Sequence, residues 1–190
     1  MNHSDLVELI RDGVAGAGKR WADLGAGEGN FTVALAELLG RNARITAVDR
    51  DGGALRQLAG RQNIETKTGD FTRPMGLSGL DGVLMANSLH FVREKGPVLE
   101  RVRQMLLPEG RLVVVEYGTD HGNPWVPHPF SYARWEQMAA QAGFARTRLL
   151  STIPSRHLGS MYAAVSLLPS PSGGRVRERA SSSRLPSENL

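Results

Sequence analysis

Cysteine is absent from this 190-residue chain. Its absence excludes disulfides and thiolate metal sites and fits a reducing, cytoplasmic setting. Long apolar runs are missing as well: nowhere do eighteen apolar residues follow one another, so no segment is expected to span a bilayer. The first twelve residues carry acids instead of an apolar stretch closed by small residues, so a signal peptide is not expected. A one-sided charge is also lacking from most of the chain. The net charge is +4, but residues 1–168 hold 19 Lys and Arg against 17 Asp and Glu, and half of the excess lies in the last 22 residues. Binding DNA or RNA through a basic face needs a clustered excess, so a nucleic-acid partner is not expected. With 41% hydrophobic and 22% charged residues, the chain reads as one globular domain.

The segment 169–190 holds six Ser, three Pro and two Gly among few apolar residues, and reads as a disordered tail behind a domain spanning 1–168. Within the domain, helical and strand patterns alternate without repeats, which argues for parallel βαβ units in an α/β, doubly wound fold with helices on both faces. Helices are expected over Ser4–Val14 with Ser4 as N-cap, Asn30–Leu39, around Ala54–Ala59, from Pro97 to Leu106, and over Ser131–Ala142, where Gly143 stops the last. Strands are expected at Arg20–Leu24, Arg44–Asp49, Ile64–Gly69, Gly82–Ala86, Arg111–Tyr117, Ala145–Ser151 and Met161–Leu168. The stretch 71–80, with Pro74, Gly76 and Gly79, is not expected to form a crossover helix. Only nine residues join the last two strands, which makes them antiparallel neighbours.

The chemistry begins at Asp23-Leu24-Gly25-Ala26-Gly27-Glu28-Gly29-Asn30, where a strand enters a glycine loop and a helix leaves it. Glycines let the backbone pass close to a ligand, and the free N–H groups of the following helix favour an anion. Asp49 ends the second strand 22 residues after Gly27, where a carboxylate can accept both hydroxyls of a ribose. The bland alternative is a tight turn with Asp49 capping the next helix. A dinucleotide fingerprint would need a third glycine at position 30, where Asn30 stands. An acid at position 23 suits an ammonium group better than a pyrophosphate, because like charges repel strongly away from water.

These residues resemble the first motif of the class I S-adenosylmethionine-dependent methyltransferases of small-molecule type. The resemblance extends over roughly Trp21 to Leu167 and implies a seven-stranded sheet of order 3-2-1-4-5-7-6 with strand 7 antiparallel. It also implies S-adenosylmethionine as cofactor. Asp23, Gly25, Ala26, Gly27 and Asn30 would form its loop contacts, and Asp49 with Arg50 falls in the second motif. Asp70 with Phe71 falls in the third, at the adenine. Asn87 and Ser88, after strand four, stand where the family contacts the methionine part and faces the acceptor. The bland readings are a turn for Asp70, core for Phe71 and a loop cap for Asn87.

Carboxyl ends of strands four and five form the cleft of such a sheet. His90, Glu116, Tyr117, Asp120 and His121 are therefore expected near it. His90 and His121 are the candidate bases, imidazole being the side chain that titrates near neutrality. For His90 a routine loop hydrogen bond is the alternative, and for Asp120 a turn. No compact ligand spacing links His121 and His128, so no metal is expected. Trp125, Phe130, Tyr132 and Trp135 could wall an acceptor pocket, with Trp135 favoured as core. No Asn-Pro-Pro-aromatic run follows strand four, which points to a small-molecule acceptor. Little chain is left for a lid, so the pocket is shallow or is completed by the 118–135 loop or by a second copy in a homodimer. Three other readings remain beside methyl transfer: a non-catalytic cofactor-binding protein, an NAD-binding oxidoreductase and an RNA methyltransferase.

Overall fold

The computed structural model describes residues 1–155 and 158–170; most of the expected 169–190 tail lies outside them. Helix α1 covers His3–Val14, β1 Arg20–Leu24, α2 Asn30–Leu39, β2 Arg44–Asp49 and β3 Ile64–Thr68. They are followed by β4 Leu80–Ala86, α3 Gly96–Met105, β5 Leu106–Tyr117, α4 Tyr132–Gln141, β6 Arg146–Pro154 and β7 Ser160–Leu167. The seven strands form one sheet in the order β3-β2-β1-β4-β5-β7-β6. The first five pair in parallel, while β7 runs antiparallel to both β5 and β6.

Side chains alternate across the central strands and so feed two cores. On one face Val83 and Met85 of β4, Leu112 and Val114 of β5, and Tyr162 of β7 pack with Val98 and Val102 of α3 and Trp135 of α4. On the other, Leu84, Val113, Val115 and Ala163 pack with Ile10 of α1 and Leu35 of α2. The period of two in strands and of about 3.6 in helices produces this sandwich without further instruction. The β3 edge is polar and mostly exposed, which suits an edge that should not recruit another strand. Among the described residues no helix is long and apolar enough to cross a membrane.

Three expectations about the elements need correction. Asn2, not Ser4, caps α1: its side chain accepts from Asp5 N–H while the Asp5 carboxylate accepts from Asn2 N–H, a reciprocal box that starts the helix two residues earlier. The helix expected around residues 54–59 is a five-residue 3₁₀ turn, Ala54–Leu58. It is started by Asp51, whose side chain accepts from Gly53 and Ala54 N–H, and is followed by Gly60 at φ +80°. Leu106 leaves α3 and opens β5 by pairing with Leu80; the register then shifts between Leu80 and Gly82, so that Gly82 pairs with Arg111.

Gly82 shows how closely the centre is filled. A Cβ there would lie 2.4 Å from the ring of Trp21, which is wholly buried and donates its indole N–H to Gly18 O. Overpacking against a fixed ring costs about 1–3 kcal/mol. We expect Gly82→Ala to lose about that much in urea titrations while far-UV circular dichroism keeps its native shape. An unchanged midpoint would mean that the Trp21 ring yields freely.

Candidate active site

The chain leaves β1 through three glycines in left-handed conformation, Gly25 at φ +84°, Gly27 at +53° and Gly29 at +86°. At Gly25 the need is steric as well, because a Cβ would fall 2.4 Å from Cβ of Ser88. Gly25 and Ala26 donate their N–H groups to Val48 O, and Gly27 donates to Oδ2 of Asp49 at 2.8 Å. The loop is thereby tied to the end of β2. Gly29 supplies no side-chain cap to α2, so the first amides of that helix stay available to an anion.

Asp49 is half-buried and serves two segments, since its Oδ1 also accepts from Asp51 N–H at 2.9 Å in the turn after β2. Each carboxylate oxygen has a second acceptor site, so the turn role and ribose binding are compatible. A cavity of about 470 Å³ opens beside it, lined by Gly25, Gly27, Asp49, Arg50, Asp70 and Phe71, and by Asn87, Ser88, Phe91 and Val92 after β4. Thr72 donates both N–H and hydroxyl to Asp70 Oδ1, and these bonds hold the Asp70 carboxyl below its ordinary range. A second cavity of about 470 Å³ lies across the glycine loop, lined by Met1, His3 and Leu6 of the N-terminal segment, by Ala26, Asn30 and Phe31, and by Asn87.

Gly25, Gly27 and Asn87 border both cavities. Asn87 has φ +52°, an uncommon conformation for a residue with a side chain, and its Oδ1 is enclosed without a hydrogen-bond partner. Ser88 spends its hydroxyl on Leu24 O at 2.8 Å. Asp23, on the α2 face of β1, is 1% exposed; Oδ2 accepts from the Thr32 hydroxyl at 2.6 Å and Oδ1 is enclosed and unpartnered. An orphaned buried acceptor is what an ammonium donor would satisfy.

His90 and Glu116 form a buried pair at the ends of β4 and β5. Nδ1 of His90 lies 2.7 Å from Oε2 of Glu116, and the residues are 3% and 0% exposed. Oε1 of Glu116 accepts from Leu89 and His90 N–H at 2.8 and 3.2 Å. One carboxylate thus meets three donors, which makes its burial tolerable. Nε2 of His90 takes no hydrogen bond among the described residues and is not among the enclosed unpaired atoms. The ring packs against Phe91, centroids 4.3 Å apart, and edge-on to Tyr117 at 5.5 Å.

The other expected residues are not drawn in. His121 is exposed, lines neither cavity, and contributes only a backbone N–H to Thr119. Asp120 accepts from Ser131 N–H and hydroxyl and closes the base of the 120–131 loop. Phe130 and Trp135 are core, 2% and 0% exposed, whereas Trp125 stands 82% exposed. Glu116 as partner of His90, and Thr32 as partner of Asp23, were not foreseen. The signal for Glu116 was an acid closing the apolar run Leu112–Val115, costly to bury unless paired. Among the described residues no group of three His, Cys, Asp or Glu could hold a metal.

An open α/β sheet with a glycine loop and an acid at the carboxyl end of its second strand defines a nucleotide-type binding domain. Residues 22–112 match the sequence model of a family described as methyltransferase domain. Over that stretch the chain carries a methyltransferase domain, and its strand order is the one that the class I resemblance implied. It is 31% identical over 165 residues to a reducing polyketide synthase of Penicillium sp., a match covering 70% of this chain and 7% of that protein. It is 34% identical over 108 residues to a demethylmenaquinone methyltransferase of Clavibacter sepedonicus, covering 54% of this chain and 43% of the relative. The chain therefore spans less than half the length of these curated relatives. Among solved structures it shares the fold of the CurJ carbon methyltransferase, with TM-score 0.68 at 21% identity over 82% of this chain and 50% of the other.

Burial raises the Asp23 carboxyl to about 7, against the lowering effect of the Thr32 hydroxyl and with a further rise from Asp49. That folded value lies above the unfolded one, so the stability the group contributes is complete below about pH 4. It is lost as pH rises to about 7. Asp23→Asn keeps the shape and an acceptor for Thr32. We expect its stability advantage over wild type, in urea titrations of the unliganded protein, to grow from pH 5 to pH 8. A constant difference would show that Asp23 ionises freely.

Proposed function

We propose that the chain is an S-adenosylmethionine-dependent methyltransferase acting on a small-molecule acceptor that gives up a proton to His90. The observation that carries this reading is the buried His90–Glu116 pair: His90 lines neither cavity itself but stands in the chain between Ser88 and Phe91, which line the one at the glycine loop. In this reading Asp49 accepts the ribose hydroxyls, with Arg50 at the rim and Asp70 and Phe71 on the adenine side. Gly25, Gly27 and Ala26 let the backbone approach, and Asn30 opens the helix that faces the carboxylate. Asn87, which borders both cavities, offers its unpaired Oδ1 to the α-ammonium group, and Asp23, which lines neither cavity, stands behind the loop with its own Oδ1 unpaired. Ser88 shapes the wall through its bond to Leu24.

When bound, S-adenosylmethionine supplies a methyl group already activated on a sulfonium. The chain's remaining tasks are alignment, which can account for about 7–11 kcal/mol of barrier, and proton removal, which contributes about 10²–10⁴-fold. Nε2 of His90 is the nitrogen free to take the proton, because Nδ1 is committed to Glu116. Glu116 fixes the ring and would stabilise the imidazolium formed when His90 takes the acceptor's proton. A base is needed most by an acceptor of weak acidity. A carbon acid next to carbonyl groups is the class we favour, since a reducing polyketide synthase and a carbon methyltransferase are among the similar proteins.

Two measurements test the parts separately. Asp49→Ala should weaken S-adenosylmethionine binding at least about tenfold in calorimetry, a charged acceptor to hydroxyls being worth roughly 1.5–3 kcal/mol. Unchanged affinity would misplace the pocket. With an acetoacetyl thioester as acceptor, His90→Gln should slow release of S-adenosylhomocysteine by about 10²–10⁴-fold and leave cofactor affinity alone. Undiminished turnover removes His90 as base, and cofactor binding without turnover on carbon, oxygen or nitrogen acids favours a non-catalytic binder.

A further inference from the structure

Lys95 stands just before α3 and is 8% exposed, yet among the described residues no carboxylate lies within ion-pair distance of its ammonium group. Nζ donates instead to two backbone carbonyls, Val92 O and His128 O, each at 2.9 Å. The same nitrogen sits 4.9 Å from the centroid of the Phe130 ring. Three donors of an ammonium are thus offered two carbonyl dipoles and an aromatic face. Burial holds its proton affinity below that of a solvated lysine, opposed by the nearby Glu116 and aggravated by Arg134.

The partners come from two different loops. Val92 follows His90 in the segment after β4, whereas His128 and Phe130 belong to the loop after β5. A further bond joins the same loops, from His128 N–H to His90 O at 3.0 Å. His90 is therefore gripped on both sides. Its imidazole is fixed by Glu116 at the end of β5, and its carbonyl is fixed by a residue whose own carbonyl is fixed by Lys95. Asp120 closes the base of that loop on Ser131, and Lys95, with the His128 amide, fastens the loop to the His90 segment. A lysine buried for packing alone would give up hydration without return.

We propose that Lys95 is a positioning residue for the His90–Glu116 pair: a cationic pin that holds the loop after β5 against the segment after β4 and so fixes the direction of the His90 imidazole. The proposal rests on the reading of that pair as the proton acceptor. It accounts for a loop that exposes Trp125 yet keeps Phe130 buried. It also assigns Phe130 a purpose beyond filling the core, as the apolar face that accepts the third direction of the ammonium group.

The test uses the full chain and needs no acceptor. Lys95→Met keeps the apolar stem and removes the charge and donors; Lys95→Gln keeps a neutral donor; Lys95→Arg keeps the charge. In Lys95→Met we expect the His128 amide to exchange with solvent at least about tenfold faster, by local opening of the loop. The ¹⁵N signals of the His90 ring should shift or broaden, while S-adenosylmethionine affinity stays within about twofold because the cofactor contacts are separate. Lys95→Arg should restore the ring signals at least in part. Unchanged His128 protection and unchanged His90 signals in a folded Met variant overturn the proposal; if that variant does not fold, the Gln variant carries the same readouts. Failure of both to fold also overturns it, since Lys95 would then serve the fold at large. These readouts do not depend on turnover. If His90→Gln retains activity while Lys95→Met still moves the ring, the base assignment fails and the pin survives.

Discussion

The bond from Gly27 N–H to the Asp49 carboxylate is the constraint on which the site depends. It joins the loop leaving β1 to the end of β2 and leaves a gap between them. It works with the bonds from Gly25 and Ala26 N–H to Val48 O, since glycines at 25, 27 and 29 give the loop little stiffness of its own. The second oxygen of the same carboxylate starts the turn after β2. One side chain therefore shapes the loop, begins the next segment and still has acceptor capacity for a ligand.

Around this joint the buried polar groups fall into two kinds. Glu116 is fully enclosed and fully engaged, with two amides and an imidazole on its oxygens. Such a network is costly to break and holds its members still. Asp23 and Asn87 are enclosed but each keeps one oxygen without a partner. An unpaired buried acceptor costs free energy, and the positive φ at Asn87 adds to that cost. The first kind fits groups that must not move, the second groups whose partner arrives with a ligand. Lys95 belongs to the first kind, though its partners are carbonyls and a ring.

Most of the sheet was readable because each central strand is a short apolar run bounded by Gly, Pro or charge, and because β6 and β7 are too closely joined for a crossover. The errors lie where local chemistry competes with periodicity. Ser4 looks like an N-cap, but Asn2 and Asp5 satisfy each other and take the role. Residues 54–59 carry helical spacing, but Asp51 and Gly60 confine them to a single 3₁₀ turn. In the site, the glycine loop and the acid at the end of β2 were visible because their geometry is written in backbone requirements. Glu116 was placed near the cleft without a role, and His121 was given one it does not have the surroundings to fill.

Sequence alone determined the alternation of strands and helices, the turn-bearing glycines and the acid at the end of β2, since each follows from local conformational preference and from which faces must be buried. It could not determine that an imidazole and a carboxylate 26 residues apart would meet at 2.7 Å, nor that His121 would be left in solvent. Those outcomes depend on how two loops pack above the parallel β4–β5 pair. Pairing across a sheet is a long-range contact whose geometry no local pattern encodes, and only the folded chain brings its members together.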